Sequence, residues 1–148
     1  MIKKTFPILC LTVLPNTSVA NEFYKIYTDI RHNLYKMQYD EVINVVAQPG
    51  LTINEIEEIK SHPVKFGYKF PFLSSITSSL ITELSHFEST YKDGSVGCLS
   101  VNGFGDIYQP VTVSLQFESI EQMWRVKQVK VHQLADYDRF YKKADCSK

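Results

Sequence analysis

The sequence predicts an α+β fold, in which N-terminal helices pack on a curved antiparallel sheet of three or four strands. Apolar residues in the first half recur three or four positions apart, which is the spacing of an amphipathic helix. In the second half the period changes to strict alternation, most clearly in the segment PVTVSLQFE. Asp93-Gly94 supplies a turn signal near this change. Helices followed by a strand meander are typical of α+β architectures.

The N-terminal segment, residues 1–20, has the layout of a secretory signal peptide. Lys3 and Lys4 precede a short apolar run, and small residues follow it up to Ala20. We therefore expect cleavage between Ala20 and Asn21, and a periplasmic or secreted location in a bacterium. A membrane-spanning helix needs about 20 apolar residues, and this run is shorter. A buried N-terminal helix is the alternative interpretation.

The cysteine pattern supports export. Cys10 lies within the signal segment, and Pro7 stands where a bacterial lipoprotein signal usually has leucine, so we expect no lipid anchor. Cys98 and Cys146 remain, and an even pair in an oxidising compartment favours a disulfide. The bridge would close a loop of about 49 residues and contribute roughly 4 kcal/mol in the chain-entropy model. A redox pair is disfavoured because the spacing is not CxxC.

Removal of the signal leaves residues 21–148, enough for one domain with a hydrophobic core. The whole chain has 16 basic and 16 acidic residues, and the signal takes two of the basic ones, which leaves a net charge of −2. A nearly neutral chain has no overall field to attract nucleic acid or an anionic membrane. We expect neither of these partners, no stable membrane insertion after signal removal, and no cofactor. The sequence leaves the oligomeric state open.

The first half of this domain predicts a series of helices. Residues 22–37 form the first, with five apolar residues at helical spacing: Phe23, Ile26, Ile30, Leu34 and Met37. Asp40 would cap a second helix, which would end at Pro49-Gly50. That helix would bury one apolar face made by Val42, Ile43 and Val46.

A third helix is predicted after Thr52, because Thr52 and Glu55 have the spacing of a capping box. It would run to about Ser61 and stop at Pro63. Beyond residue 75 four apolar residues again recur at helical spacing: Ile76, Leu80, Leu84 and Phe87. Ser74 or Ser75 would cap that helix, although two strands would also fit this region.

The second half predicts an antiparallel meander. Val96 to Phe104 is a candidate strand. The next strand alternates an apolar face (Val111, Val113, Leu115, Phe117) with a polar face (Thr112, Ser114, Gln116), the pattern of a half-buried strand. A short loop over residues 119–122 leads into the last strand, and residues 136–143 form a short helix that brings Cys146 back to Cys98.

The last strand, QMWRVKQVKVHQL, slips once in its alternation. Trp124 and Val126 have the opposite parity to Val129 and Val131, so we predict a β-bulge near Lys127-Gln128. With the bulge, four basic-type residues share the outer face: Arg125, Lys127, Lys130 and His132. Nucleic-acid sites interleave such cations with exposed aromatic residues, and this face has none, so we interpret it as a solvated face.

The motifs that carry catalysis or metal binding are absent from the sequence. The four histidines show no HxxxH or HExxH spacing, and no GxSxG elbow is present. NGFGD, from Asn102 to Asp106, is a turn in which glycine supplies positive φ, and Asp136 and Asp138 would diverge on a helix. We therefore predict no catalytic and no metal-binding residue. Convergence of His32, His86 and His132 in space would favour the alternative, a small hydrolase or a ligand-pocket protein.

The aromatic segment Phe66 to Ser75 is the strongest candidate for a binding surface. If it is extended, its four aromatic residues, Phe66, Tyr68, Phe70 and Phe72, share one side. Gly67 and Pro71 disfavour a helix there. One interpretation is a lid on the core; the other is that Tyr68 and Phe70 stay partly exposed and anchor a protein partner.

These observations favour an exported binding protein over an enzyme: an inhibitor, an immunity-type protein or an accessory subunit with a protein partner. The order of elements is compatible with the cone-shaped folds called NTF2-like and cystatin-like. No motif in the sequence carries a resemblance to either family, so the comparison implies nothing about function.

Overall fold

The computed structural model describes residues 21–47 and 51–147. The predicted signal peptide, including Cys10, and the predicted helix end at Pro49-Gly50 lie outside the described residues.

The described residues form helices followed by one antiparallel sheet, and the predicted α+β fold is confirmed. The helices are α1 (Glu22–Tyr35), α2 (Tyr39–Asn44), α3 (Ile53–Ser61), α4 (Pro63–Lys69) and α5 (Pro71–Ser78). The strands are β1 (Thr82–Tyr91), β2 (Val96–Phe104), β3 (Pro110–Ile120) and β4 (Met123–Gln133). They lie side by side in chain order. No helix within the described segments is long and apolar enough to cross a membrane.

The helices pack on one face of the sheet, and aromatic residues fill the space between them. The Phe23 ring of α1 stacks on Phe117 of β3 at 4.7 Å and meets Trp124 of β4 edge-on at 4.9 Å. Gly97 makes this approach possible, because a Cβ there would lie 2.2 Å from Phe23 Cζ. The core lies between the sheet and the helices, and all five described helices contribute buried residues to it.

The predicted N-terminal helices are present with two corrections. α1 ends at Tyr35, and Met37 leaves the apolar face because it adopts a positive φ of 58° and is exposed. Asp40 does not cap α2, since Gln38 holds that position and Asp40 lies in the first turn. The capping box of α3 is confirmed: the Thr52 N–H donates to the Glu55 carboxylate at 2.8 Å.

The prediction that the aromatic segment is extended is wrong, because residues 63–78 form α4 and α5. Pro71 lies at the first turn of α5, where the missing proline N–H leaves no helical hydrogen bond unmade. Gly67 is accommodated inside α4. The helix predicted over Ile76 to Phe87 is also wrong beyond Ser78, since residues 82–91 form β1. Ser74 and Ser75 do not cap α5, because they lie inside it and Phe70 holds the N-cap position.

The predicted strands and bulge are confirmed. β2 has the predicted bounds, and Lys127 is the extra residue of β4, because Gln116 pairs with Gln128 while Phe117 pairs with Val126. The outer face of β3 is not solvated as expected: Thr112 and Ser114 are buried. The cause is the C-terminal segment, residues 134–147, whose only helical turn is Tyr137–Arg139 and which crosses this face.

Candidate partner-binding site

A surface groove lies between α3 and α4. His62, in an extended conformation, turns the chain between the two helices, and Pro63 begins the second. The groove has a volume of about 230 Å³. Three residues of each helix line it: Glu55, Glu58 and Ile59 from α3, and Lys65, Tyr68 and Lys69 from α4.

The charged residues of the groove pair with one another across the two helices. Lys65 bonds the Glu58 carboxylate, and Lys69 Nζ lies 3.4 Å from Glu55 Oε1. The Thr52 backbone N–H, with help from its hydroxyl and from Lys69, lowers the pKa of Glu55, and the hydrogen bond from Lys65 lowers the pKa of Glu58. Because these carboxylates are exposed, the pairs add little stability. The groove is electrically balanced, with an apolar floor at Ile59.

Tyr68 stands at this groove and is 84% exposed, whereas Phe66 and Phe70 are each 4% exposed. The difference follows from helical spacing, since residues two apart on a helix face different ways and residues four apart share a face. Phe66 packs against Tyr39 at 4.6 Å and against Phe70 at 5.2 Å. The expected exposure therefore holds for Tyr68 and is wrong for Phe70, which belongs to the core.

Tyr68 is thus a large side chain on a helix whose opposite face is fixed in the core. Its backbone is ordered before any partner arrives, which lowers the entropy cost of binding. Tyrosine also combines an apolar ring with a hydroxyl, a combination that is enriched at protein interfaces.

The histidines proposed to converge are separated. His86 lies on the helix-covered face of β1, where its ring stacks on Tyr24 at 3.8 Å. His132 lies on the outer face of β4, at the other edge of the sheet, 5.5 Å from the Tyr141 ring. Across the two described segments, no group of three or more His, Cys, Asp or Glu is placed to hold a metal ion.

The basic face of β4 is only partly solvated. Lys127 is exposed and bonds Glu118 at 2.8 Å, while the other three members of the face are half-buried. The C-terminal segment covers the neighbouring part of this face. This face is a packed surface that includes the Lys127–Glu118 ion pair, in place of the open solvated face expected from the sequence.

Sequence reasoning missed a polar cluster that joins α1 to β1. The Glu83 carboxylate accepts hydrogen bonds from the Tyr24 hydroxyl at 2.8 Å, the Tyr27 hydroxyl at 3.0 Å and the Arg31 guanidinium. Arg31 also donates to the Leu80 carbonyl at 3.0 Å. Every member is bonded to another, so the cluster fixes α1 on the edge of the sheet. No local signal links residues more than 50 positions apart in this way.

The turn between β2 and β3 was also misassigned in detail. The positive φ angles belong to Ile107 (54°) and Tyr108 (55°), and not to the glycines. Gly103 and Gly105 instead allow close approach, because their Cβ atoms would lie 2.1 Å from the Thr82 carbonyl oxygen and 2.8 Å from that of Ser79. Ile107 and Tyr108 are bulky residues at the tip of this hairpin, and their position in the sequence was the only local indication of it. Both side chains are almost fully exposed.

Comparison with known proteins finds no family model that matches the sequence and no curated protein with significant similarity to it. The sites described above therefore depend on the geometry of this chain alone.

Proposed function

We propose that the protein is exported by a bacterium and acts by binding a protein partner, as an inhibitor, an immunity-type protein or an accessory subunit. The observation that carries this proposal is Tyr68, an 84% exposed aromatic residue fixed beside a concave groove. Interfaces concentrate their binding energy in a few such residues, above all Trp, Tyr and Arg.

The groove gives the partner a defined place to contact. A partner side chain would enter between α3 and α4 and pack on Ile59 and the Tyr68 ring. The paired carboxylates and lysines would form the polar rim around that contact, where exposed charges affect specificity more than affinity.

Two observations support export. Residues 1–20 have the layout of a signal peptide. Cys98 and Cys146 lie at disulfide-bonding distance with their Cα atoms 5.9 Å apart, and such bridges persist mainly in oxidising compartments.

The test is affinity capture of the tagged mature chain, residues 21–148, from the cell envelope of its own host, followed by quantitative mass spectrometry. Tyr68→Ala should reduce recovery of the partner about tenfold or more, the usual effect of losing a hot-spot residue. Its melting temperature should stay within a degree or two of the parent protein, because the side chain is exposed.

Tyr35→Ala is the matched control, since Tyr35 is an 87% exposed tyrosine on α1 and lines no part of the groove. It should recover the partner at the parent level. If Tyr68→Ala folds and recovers every partner as well as Tyr35→Ala does, the groove is not the binding surface.

A further inference from the structure

The two edge strands of the sheet differ in how far other segments pair with them. β4 is covered in part by the chain that follows α2: the Ala47 N–H donates to the Val126 carbonyl at 2.9 Å, and the Val126 N–H donates to that of Val45 at 2.8 Å. β1 pairs with β2 on one side, and nothing in residues 21–47 or 51–147 pairs with its other side. β1 therefore presents a row of backbone donors and acceptors to any strand that approaches.

This edge has only part of the usual protection. Proteins guard exposed edges with lysine, proline, bulges or very short strands. β1 is ten residues long and contains neither lysine nor proline. Its one irregularity lies between Glu83 and Ser85, so the stretch from Ser85 to Tyr91 is regular. Its two charged residues, Glu83 and Glu88, point inward and are both bonded to α1.

We propose that β1 pairs antiparallel with β1 of a second copy of this chain, so that the two four-stranded sheets become continuous. Two antiparallel strands of identical chains are related by a two-fold axis perpendicular to the sheet, and the residue at the axis faces itself. We place Phe87 at that position.

With the axis at Phe87, the cross-strand neighbours are complementary. The two Phe87 rings meet on the outer face, and each Ser85 lies opposite the Ser89 of the other copy. On the helix-covered face each His86 lies opposite a Glu88. Aromatic pairs and hydroxyl pairs are both favourable at directly opposed positions. An axis moved by one residue to Glu88 would set two carboxylates face to face, which is unfavourable.

The side chains on the helix-covered face are already held in place. The Phe23 and Tyr24 N–H groups donate to Glu88 at 3.2 and 2.7 Å. His86 Nε2 lies 3.1 Å from Asn21 Oδ1. The first turn of α1 thus orders this face of the edge before association. None of these residues lines the α3–α4 groove, so the dimer and the proposed partner surface are independent.

Light scattering coupled to size-exclusion chromatography, at micromolar concentrations of the mature chain, tests the association. The parent protein should elute with twice the mass of one chain. Phe87→Lys should elute with the mass of one chain, because two lysines would oppose each other at the axis and an edge lysine discourages pairing. Tyr35→Lys, which changes an exposed aromatic residue elsewhere, should remain a dimer.

Cysteine cross-linking tests the register and does not depend on how well Phe87→Lys folds. Directly opposed residues have Cα atoms about 4.5–5.5 Å apart, within reach of a disulfide. Phe87→Cys should form a covalent dimer on mild oxidation. Ser85→Cys and Ser89→Cys should each fail to do so alone but should cross-link when mixed. A parent protein that elutes as a monomer, or a dimer in which Phe87→Cys does not cross-link, would overturn the proposal.

Discussion

At the scale of single residues, Tyr27 is buried while its hydroxyl is hydrogen-bonded on both sides. Its side chain is fully buried between α1 and β1, its hydroxyl donates to Glu83, and the Arg31 guanidinium lies 5.5 Å from its ring centre. Burial raises the pKa of Tyr27 to about 12, although the charge of Arg31 acts in the opposite direction. The folded protein therefore holds this phenol in its neutral form.

This pKa predicts a loss of stability at alkaline pH. In the unfolded chain Tyr27 would ionise near its ordinary pKa of about 10. Between about pH 10 and 12 the unfolded chain loses this proton while the folded chain keeps it, so the free energy of unfolding falls as the pH rises. The full contribution is present below pH 10, and about 2 kcal/mol of it is lost by pH 12.

Urea unfolding across this pH range, compared between the parent protein and Tyr27→Phe, measures the effect. The variant should lose stability less steeply, because position 27 then has no group to ionise. Tyr35→Phe removes an exposed hydroxyl and should keep the parent slope. Equal slopes for the parent and Tyr27→Phe would contradict the assignment.

At the scale of elements, the capping box of α3 and the parity of the last strand predicted the structure correctly, whereas the single capping residue Asp40 did not. The capping box of α3 needs only residues three apart, and the bulge at Lys127 follows from the parity of Val126 and Val129. The prediction for the aromatic segment was wrong because the spacing of its aromatic residues fits both a strand and a helix. Phe66, Phe70 and their neighbours alternate like a strand, yet Phe66 and Phe70 are also four apart like one face of a helix.

The helical structure of this segment predicts that Tyr68 and Phe70, two positions apart, contribute differently to stability. Phe70→Ala should lower the free energy of unfolding by about 3–5 kcal/mol, because it leaves a cavity where a core ring packs on Phe66. Tyr68→Ala should change it by about 0.5 kcal/mol or less. Urea denaturation of both variants measures the difference. Comparable losses would indicate the extended arrangement, in which all four rings share one side.

At the scale of the whole molecule, the sequence did not predict which surfaces are covered by other segments of the same chain. Thr112 and Ser114 alternate with apolar residues and so were predicted to face solvent. They are buried because the C-terminal segment crosses them, and contacts between distant segments leave no periodic signal. The α3–α4 groove also escaped prediction: α3 was predicted, but α4 was not, because Gly67 and Pro71 indicated an extended segment.

The C-terminal segment is held on the outer face through its backbone. The Asn102 side chain donates to the Tyr141 carbonyl at 2.7 Å and accepts from the Tyr141 N–H at 3.2 Å. Ser100 Oγ accepts from the Asp145 N–H at 3.0 Å. The Cys98–Cys146 pair fixes the end of the segment next to these bonds. We therefore expect the disulfide to determine whether the whole outer face stays covered.

The prediction is that the exported protein begins at Asn21 and contains no free thiol. Its intact mass should match residues 21–148 and should increase by two hydrogen atoms on reduction. Cys98→Ser should lower the free energy of unfolding by about 2–5 kcal/mol, the usual effect of losing a native bridge. It should also speed hydrogen exchange at the Tyr141 and Asp145 amides, because the bonds that protect them lose their anchor. Cys10→Ser should change neither property, since that residue leaves with the signal.

Two cysteines labelled by a thiol reagent in the denatured, unreduced protein would contradict the bridge. Unchanged exchange in Cys98→Ser would show that the polar contacts alone hold the segment in place.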